Sequence, residues 1–418
     1  MTPPGPLWTG ATLFDSASQP STPTATDTAP RRHPSAVLYA TSAGLGGSGL
    51  DSTSLEGVLA AFRHGVLKKA LCYPNRQKEI PHAIVRSLQL SPVRLLSCLG
   101  SNDYYAAKKR YLDRRAAHLL RSGAFDLFHG WVGESFETLV EARLRHIPSV
   151  LDVATWHRNK GATKSGETRS EREARHLDRG WRDWRKHLHA SRAQNLAEYD
   201  LASVLLMPSR KSEETFLSAG VSPHKLHYVG RGVDLKRYQP AEPPEIFRVA
   251  FTGALIRRKG VHHLLAAWKK LQLPDSELIL IGSVHGEIKA ELATYAQPNV
   301  KVLGFCSRVQ DELRRCAAFV FPSECEGFAK ATLEAAACGL PLIATQESGD
   351  AIIDGQTGLL IPPNDPEALA EALRTFHAQR DRIRTMGANA RRLVEQQFTW
   401  DHYRERIWEG YARAVEME

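Results

Sequence analysis

The sequence predicts an α/β protein made of two doubly wound, Rossmann-like domains with parallel sheets, and three observations carry that prediction. Short apolar runs repeatedly end in a glycine turn and lead into a helical pattern. The run Ala-Ala-Phe-Val-Phe before Pro322, the helix from Ala329 to Cys338 stopped by Gly339, and the strand Leu342 to Thr345 together form one βαβ unit. A chain of 418 residues is also too long for a single core and suits two domains. In such sheets ligands sit beyond the carboxyl ends of the strands.

The carboxyl-end turn of that βαβ unit is the most informative stretch. It reads F-P-S-E-C-E-G-F-A-K-A-T-L-E from Phe321, with Glu326 and Glu334 eight residues apart. Paired carboxylates suggest glycoside hydrolysis, but eight helical residues span about 12 Å, whereas the hydrolytic pair needs roughly 5 to 9.5 Å. The spacing suits two anchors on one elongated ligand, each accepting hydrogen bonds from hydroxyls.

A second element lies upstream. Phe247 to Gly260, F-R-V-A-F-T-G-A-L-I-R-R-K-G, reads as a strand entering a basic turn that opens the helix Val261 to Leu271. Helix amides and the positive end of the macrodipole there face an anion, and Lys259 with Arg257 or Arg258 adds full charges. Further strands, Glu277 to Ile281 and Val300 to Phe305, continue the same sheet.

The N-terminal half has its own units. Ala36 to Ala40 is a short strand, T-S-A-G-L-G-G-S-G from Thr41 is a glycine-rich loop, and a helix follows from about Ser52 to Arg63. The loop lacks the Walker pattern and the acidic residue that a dinucleotide site needs. D-L-F-H-G-W from Asp126 is another strand end, and Ile147 to His157 a further buried strand.

These motifs resemble those of retaining GT-B glycosyltransferases in the large family called glycosyltransferase family 4. E-G-F-A-K-A-T-L-E resembles its E-x7-E motif, T-G-A-L-I-R-R-K-G its G-x-L-x-x-x-K-G element, and D-L-F-H its D-x-x-H strand end. The resemblance also covers Glu198 to Ser209 and Val229 to Asp234 and is thinnest between Asn159 and Asn195. It implies a fold of two Rossmann-like domains facing across a cleft. Glu326 is then expected to contact the donor sugar and Glu334 the ribose, with the amides of Gly327, Phe328 and Ala329 facing sugar or phosphate. Lys259, with Gly253 and Arg258 beside it, is expected to hold the donor diphosphate. The family's arginine after the glycine is Ala254 here. Gly46 and Gly47 are expected near donor phosphates or acceptor, His129 near the reacting sugar, and the turn Leu303 to Cys306, including Phe305, against the base.

The expected organisation is a disordered tail over 1–35, an acceptor domain over 36–228 completed by a helix at 400–418, and a nucleotide-sugar domain over 229–399, with Pro240 to Pro244 as linker. The tail has no apolar h-region and no later run reaches eighteen apolar residues, so neither a signal peptide nor a membrane span is expected. Six cysteines without zinc spacing fit a reducing cytoplasm. The net charge is +9, and Arg63 to Arg115 holds twelve Lys or Arg against three Asp or Glu. That excess suits a peripheral contact with anionic lipid, a lipid pyrophosphate or an acidic glycan. Arg158 to Arg192 reads as a solvated or membrane-contacting helix. No aromatic-basic RNA motif or recognition helix is present, so nucleic acid is not an expected partner.

The implied reaction is transfer of a hexose-type sugar from a nucleotide-diphosphate sugar to a hydroxyl of a lipid-linked, polysaccharide or small-molecule acceptor, with retention. No cofactor is expected, and no metal, since no Asp-x-Asp pair occurs. A sugar-nucleotide-binding or partner-binding protein without activity, or a GT-B epimerase or phosphorylase, would share these motifs.

Overall fold

The computed structural model describes residues 32–98, 100–158, 188–242 and 244–418. Most of the expected tail and of the Arg158 to Arg192 helix lies outside them. Two sheets result, both wholly parallel among the described strands. The first contains β1 (Val37–Ala40), β2 (Leu67–Cys72), β3 (Val85–Ser87), β4 (Leu127–Trp131), β5 (Ser149–Asp152), β6 (Val204–Met207) and β7 (Leu226–Tyr228), in the order β3-β2-β1-β4-β5-β6-β7. The second contains β8 (Phe247–Thr252), β9 (Ser276–Ile281), β10 (Val300–Gly304), β11 (Ala318–Phe321), β12 (Leu342–Ala344) and β13 (Gly358–Leu360), in the order β10-β9-β8-β11-β12-β13.

In both sheets the strand order reverses beside the first strand, which opens a crevice at the carboxyl edge. The central strands are near-continuous apolar runs because helices cover both faces. Phe247, Phe251, Phe319 and Phe321 are fully buried, and the rings of Phe251 and Phe321 stack across β8 and β11.

The helix Trp400–Glu416 leaves the second domain and packs on the first. A capping box of Thr399 and His402 starts it, and Tyr403, Ile407, Tyr411 and Ala414, spaced three or four apart, enter the first core. Burying a side chain such as Ile407 contributes about 1.5 to 3 kcal/mol, so one helical face anchors the crossing.

Several expected boundaries move. The first helix spans Leu50–Arg63, beginning before Ser52, because Gly49 (φ 62°) turns the chain without a side-chain cap. β10 stops at Gly304, whose φ of 68° leaves the strand region. β3, β7 and β13 are three residues each, too short to show a period. Among the described residues no helix is long and apolar enough to cross a membrane, and all six cysteines are free.

Candidate donor site between the two sheets

The cationic turn follows β8. Gly253 has φ 141°, and the space a side chain would take there is occupied by Lys259, whose Nζ would lie 3.1 Å from a Cβ. After the turn Arg257–Lys259, Gly260 adopts φ 70° with its Cα pressed against the carbonyl of Pro322, so any Cβ would collide with that backbone. The close approach brings the helix start of Val261–Leu271 against the turn that follows β11.

There the two motifs meet on one atom. Glu326 Oε1 accepts from Arg258 Nη1 at 2.9 Å and from Ser323 Oγ at 3.3 Å, and Lys259 Nζ stands 3.6 Å away. Arg258 also donates to the Cys325 carbonyl, while its own carbonyl accepts from the Glu324 N–H at 2.9 Å. Lys259 lies 5.0 Å from the centre of the Phe321 ring. Burial pulls its ammonium below the usual lysine range, opposed by Glu326. Arg257 points elsewhere, pairing with Glu291, so Arg258 is the second cation here.

Glu334 sits one turn into the helix Lys330–Ala337. Because that helix starts only at Lys330, the straight-helix spacing between the two glutamates does not hold over Glu326 to Ala329. Burial raises the Glu334 carboxyl, opposed by Lys330, the Tyr238 hydroxyl that donates to it, and Arg237. Lys330 Nζ donates to Ser52 Oγ at 2.6 Å and lies 4.9 Å from the Trp400 ring centre. Sequence reasoning missed Lys330 and Tyr238 as partners of Glu334. Lys330 was detectable as an i, i+4 neighbour; Tyr238 was not.

The carboxyl edges of the two sheets meet around this site. Gly327 is buried against the Ala154 carbonyl and Thr155 in the turn after β5, leaving no room for a Cβ. Asp350 accepts from the Arg210 N–H and from the Tyr228 hydroxyl at 2.9 Å. Phe305 is 84% exposed at the end of β10. Gly304, Gly282 and Gly253 form neighbouring turns on that edge: Gly282 N–H donates to Gly304 O at 2.8 Å, and Gly282 Cα abuts the Gly253 carbonyl.

Three expectations need correction. His129 does not face the cleft: it is fully buried, with Nδ1 2.8 Å from the Tyr411 hydroxyl, Nε2 3.1 Å from Asp152 Oδ2, and its ring edge-on to Tyr39. Both ring nitrogens are engaged because it lies mid-strand in β4, where side chains face covering helices. The Ala329 amide is unavailable to a ligand, since it donates to Ser348 O at 2.8 Å; the Phe328 ring packs 5.8 Å from that of Phe398. Gly46 likewise spends its N–H on Asp51 O at 3.3 Å, and Gly47 (φ 139°) serves the turn against Arg76 and Asp51.

Two parallel-sheet α/β domains meeting at their carboxyl edges, one with a cationic helix start beside paired glutamates, have the GT-B arrangement. Residues 246–379 match the family model described as Glycosyl transferases group 1. The alpha-maltose-1-phosphate synthase of Mycolicibacterium smegmatis is 31% identical over 225 residues, covering 46% of this chain and 58% of that protein. D-inositol 3-phosphate glycosyltransferase 1 of Catenulispora acidiphila is 26% identical over 341 residues, 74% of this chain and 78% of its own. The chain spans 58% and 42% of the length of the first two curated relatives it matches.

In fold, a sucrose-phosphate synthase from Thermosynechococcus elongatus matches with a TM-score of 0.65 at 20% identity, covering 90% of this chain and 97% of that one. HepE of Anabaena, solved with UDP and glucose, matches with a TM-score of 0.61 at 18% identity, covering 90% and 98%.

Proposed function

We propose that this protein is a retaining glycosyltransferase that moves a hexose-type sugar from a nucleotide-diphosphate sugar to an acceptor hydroxyl. The observation that carries the reading is the convergence of Lys259, Arg258 and Ser323 on Glu326 Oε1 at a helix start. Glu326 neutralises two cations in the crevice. A diphosphate entering the turn competes for Lys259 and Arg258 and frees the carboxylate to accept from sugar hydroxyls.

The physical difficulty of the transfer is negative charge growing on the departing diphosphate. Lys259, Arg258 and the first amides of Val261–Leu271 stabilise it, and the backbone contact of Gly260 with Pro322 fixes the turn that carries them. Glu334, with Tyr238 and Lys330, anchors the ribose hydroxyls. The leaving phosphate oxygen accepts the proton of the acceptor hydroxyl, and closing of the sheet edges excludes water. HepE was solved with UDP-glucose, and a mannosyltransferase of Corynebacterium glutamicum, 31% identical over 231 residues, is named as GDP-mannose-dependent. Both bases therefore belong in the donor screen.

On the acceptor side, Leu90 and Leu95 are each 82% exposed beside exposed Arg86 and Arg94. This supports an acceptor with an anionic or lipid-linked portion. The test is a thermal-shift panel of UDP and GDP sugars, followed by product analysis with labelled donor. Nucleotide release with the sugar joined to a hydroxyl through the retained anomeric configuration supports the reading. Binding without turnover, or an epimerised or phosphorolysed product, overturns it.

A further inference from the structure

We propose that His262, His263 and Glu324 form a binding site for a divalent transition ion of the zinc type, joining the start of the helix Val261–Leu271 to the Ser323–Gly327 turn. One ligand atom from each of the three lies within 4.8 Å of the others. Donor atoms around a tetrahedral zinc are separated by roughly 3.3 to 3.6 Å, given metal–ligand distances near 2.0 to 2.2 Å.

Two further features point to a ligand. The Nδ1 of His262 is buried without a hydrogen-bond partner, a state that buried polar atoms seldom keep. Among the described residues the Glu324 carboxylate makes no hydrogen bond or ion pair, although it stands beside the two imidazoles. His263 is oriented by Asn364, whose Oδ1 lies 3.2 Å from its Nε2, and the two imidazole rings are 3.8 Å apart between centroids. Asn364 holds a left-handed φ of 59°, so its side chain is set by a fixed turn.

The chemistry selects the ion. Two imidazoles and one carboxylate suit zinc, nickel or copper and suit magnesium or calcium poorly. Positive charge from the helix start and Arg257 is offset by Glu324 and by Glu287, which faces His262. The ion is not the diphosphate's partner: Lys259 and Arg258 keep that role, and the metal clamps the backbone on which they stand. This site stands independently of the transferase reading.

The experiment uses the untagged full chain, stripped with a chelator and titrated with Zn²⁺ by calorimetry and with Co²⁺ by visible absorption. The expected result is one ion per chain, a cobalt spectrum of low-coordinate nitrogen and oxygen ligation, and a raised melting temperature with Zn²⁺. His262→Ala, His263→Ala and Glu324→Gln should each weaken binding at least tenfold. His285→Ala, outside the cluster, should leave it unchanged, and excess Mg²⁺ should not displace the ion. Absence of saturable Zn²⁺ binding, or binding that survives both His263→Ala and Glu324→Gln, overturns the proposal. If His262→Ala fails to fold, those two exposed-side variants decide alone.

Discussion

Lys330 Nζ donates to Ser52 Oγ at 2.6 Å, which ties the helix carrying Glu334 to the first helix of the other domain. The same ammonium opposes the burial that raises the Glu334 carboxyl. One side chain therefore couples Glu334, the proposed ribose anchor, to the contact between the sheets. Lys330→Ala is expected to lower stability by about 1 to 3 kcal/mol, because it removes the cation that most opposes the burial of Glu334. It should also raise the donor KM more than it lowers kcat. Denaturant titration and initial rates check both.

Lys259 and Glu326 share one site, so removing either should damage the chemical step. Lys259→Ala and Glu326→Ala are each expected to cut turnover by about two or more orders of magnitude while the fold persists. Near-parental activity in both would remove the donor site from this crevice.

Gly327 has no room for a side chain beside Ala154 and Thr155. Gly327→Ala should push the Glu326 turn away from the first domain and lower kcat/KM at least tenfold, with each sheet intact by circular dichroism. Unchanged kinetics would mean that the contact is dispensable.

His129 is a core residue, and its loss should be structural. His129→Ala is expected to destabilise by about 2 to 4 kcal/mol, through a cavity and the orphaned partners Asp152 and Tyr411. Activity per folded molecule should stay within a few-fold of the parent. A large fall in kcat with unchanged stability would restore the catalytic reading.

Burial, then His263 and Arg257, push His262 down from 6.5 to about 4. Unfolded chain takes up a proton near the higher value while the folded chain resists it. The group's contribution is thus fully present above 6.5 and is lost as pH falls towards 4. Asp113, pushed up to about 6, and Glu198, to about 7, both by burial, act in the opposite sense across part of this window. The readout is therefore a comparison: His262→Gln, studied without metal, should lose less melting temperature between about pH 7 and about pH 4.5 than the parent.

Much of the second domain was legible because its signals are local. The apolar run before Pro322, the glycine stop at Gly339 and the basic turn before Gly260 each act through backbone sterics or burial within a few residues. The helix Val261–Leu271 was therefore placed with its observed ends. His129 was misread for the opposite reason. A histidine at a strand end can face either crevice or core, and its direction depends on Asp152, Tyr411 and Tyr39, which are remote in sequence.

The amino-acid order by itself determined the two parallel sheets, the crossing helix, and the bringing of a lysine turn and a glutamate turn to one sheet edge, since periodicity and turn residues operate over short spans. Only tertiary packing decided that Arg258 rather than Arg257 meets Glu326, that Lys330 serves Glu334, that the amides of Gly46 and Ala329 are spent within the protein, and that His262, His263 and Glu324 converge. Those outcomes depend on which long side chains find partners across gaps of a few ångströms, and that geometry exists only once the two sheets have met.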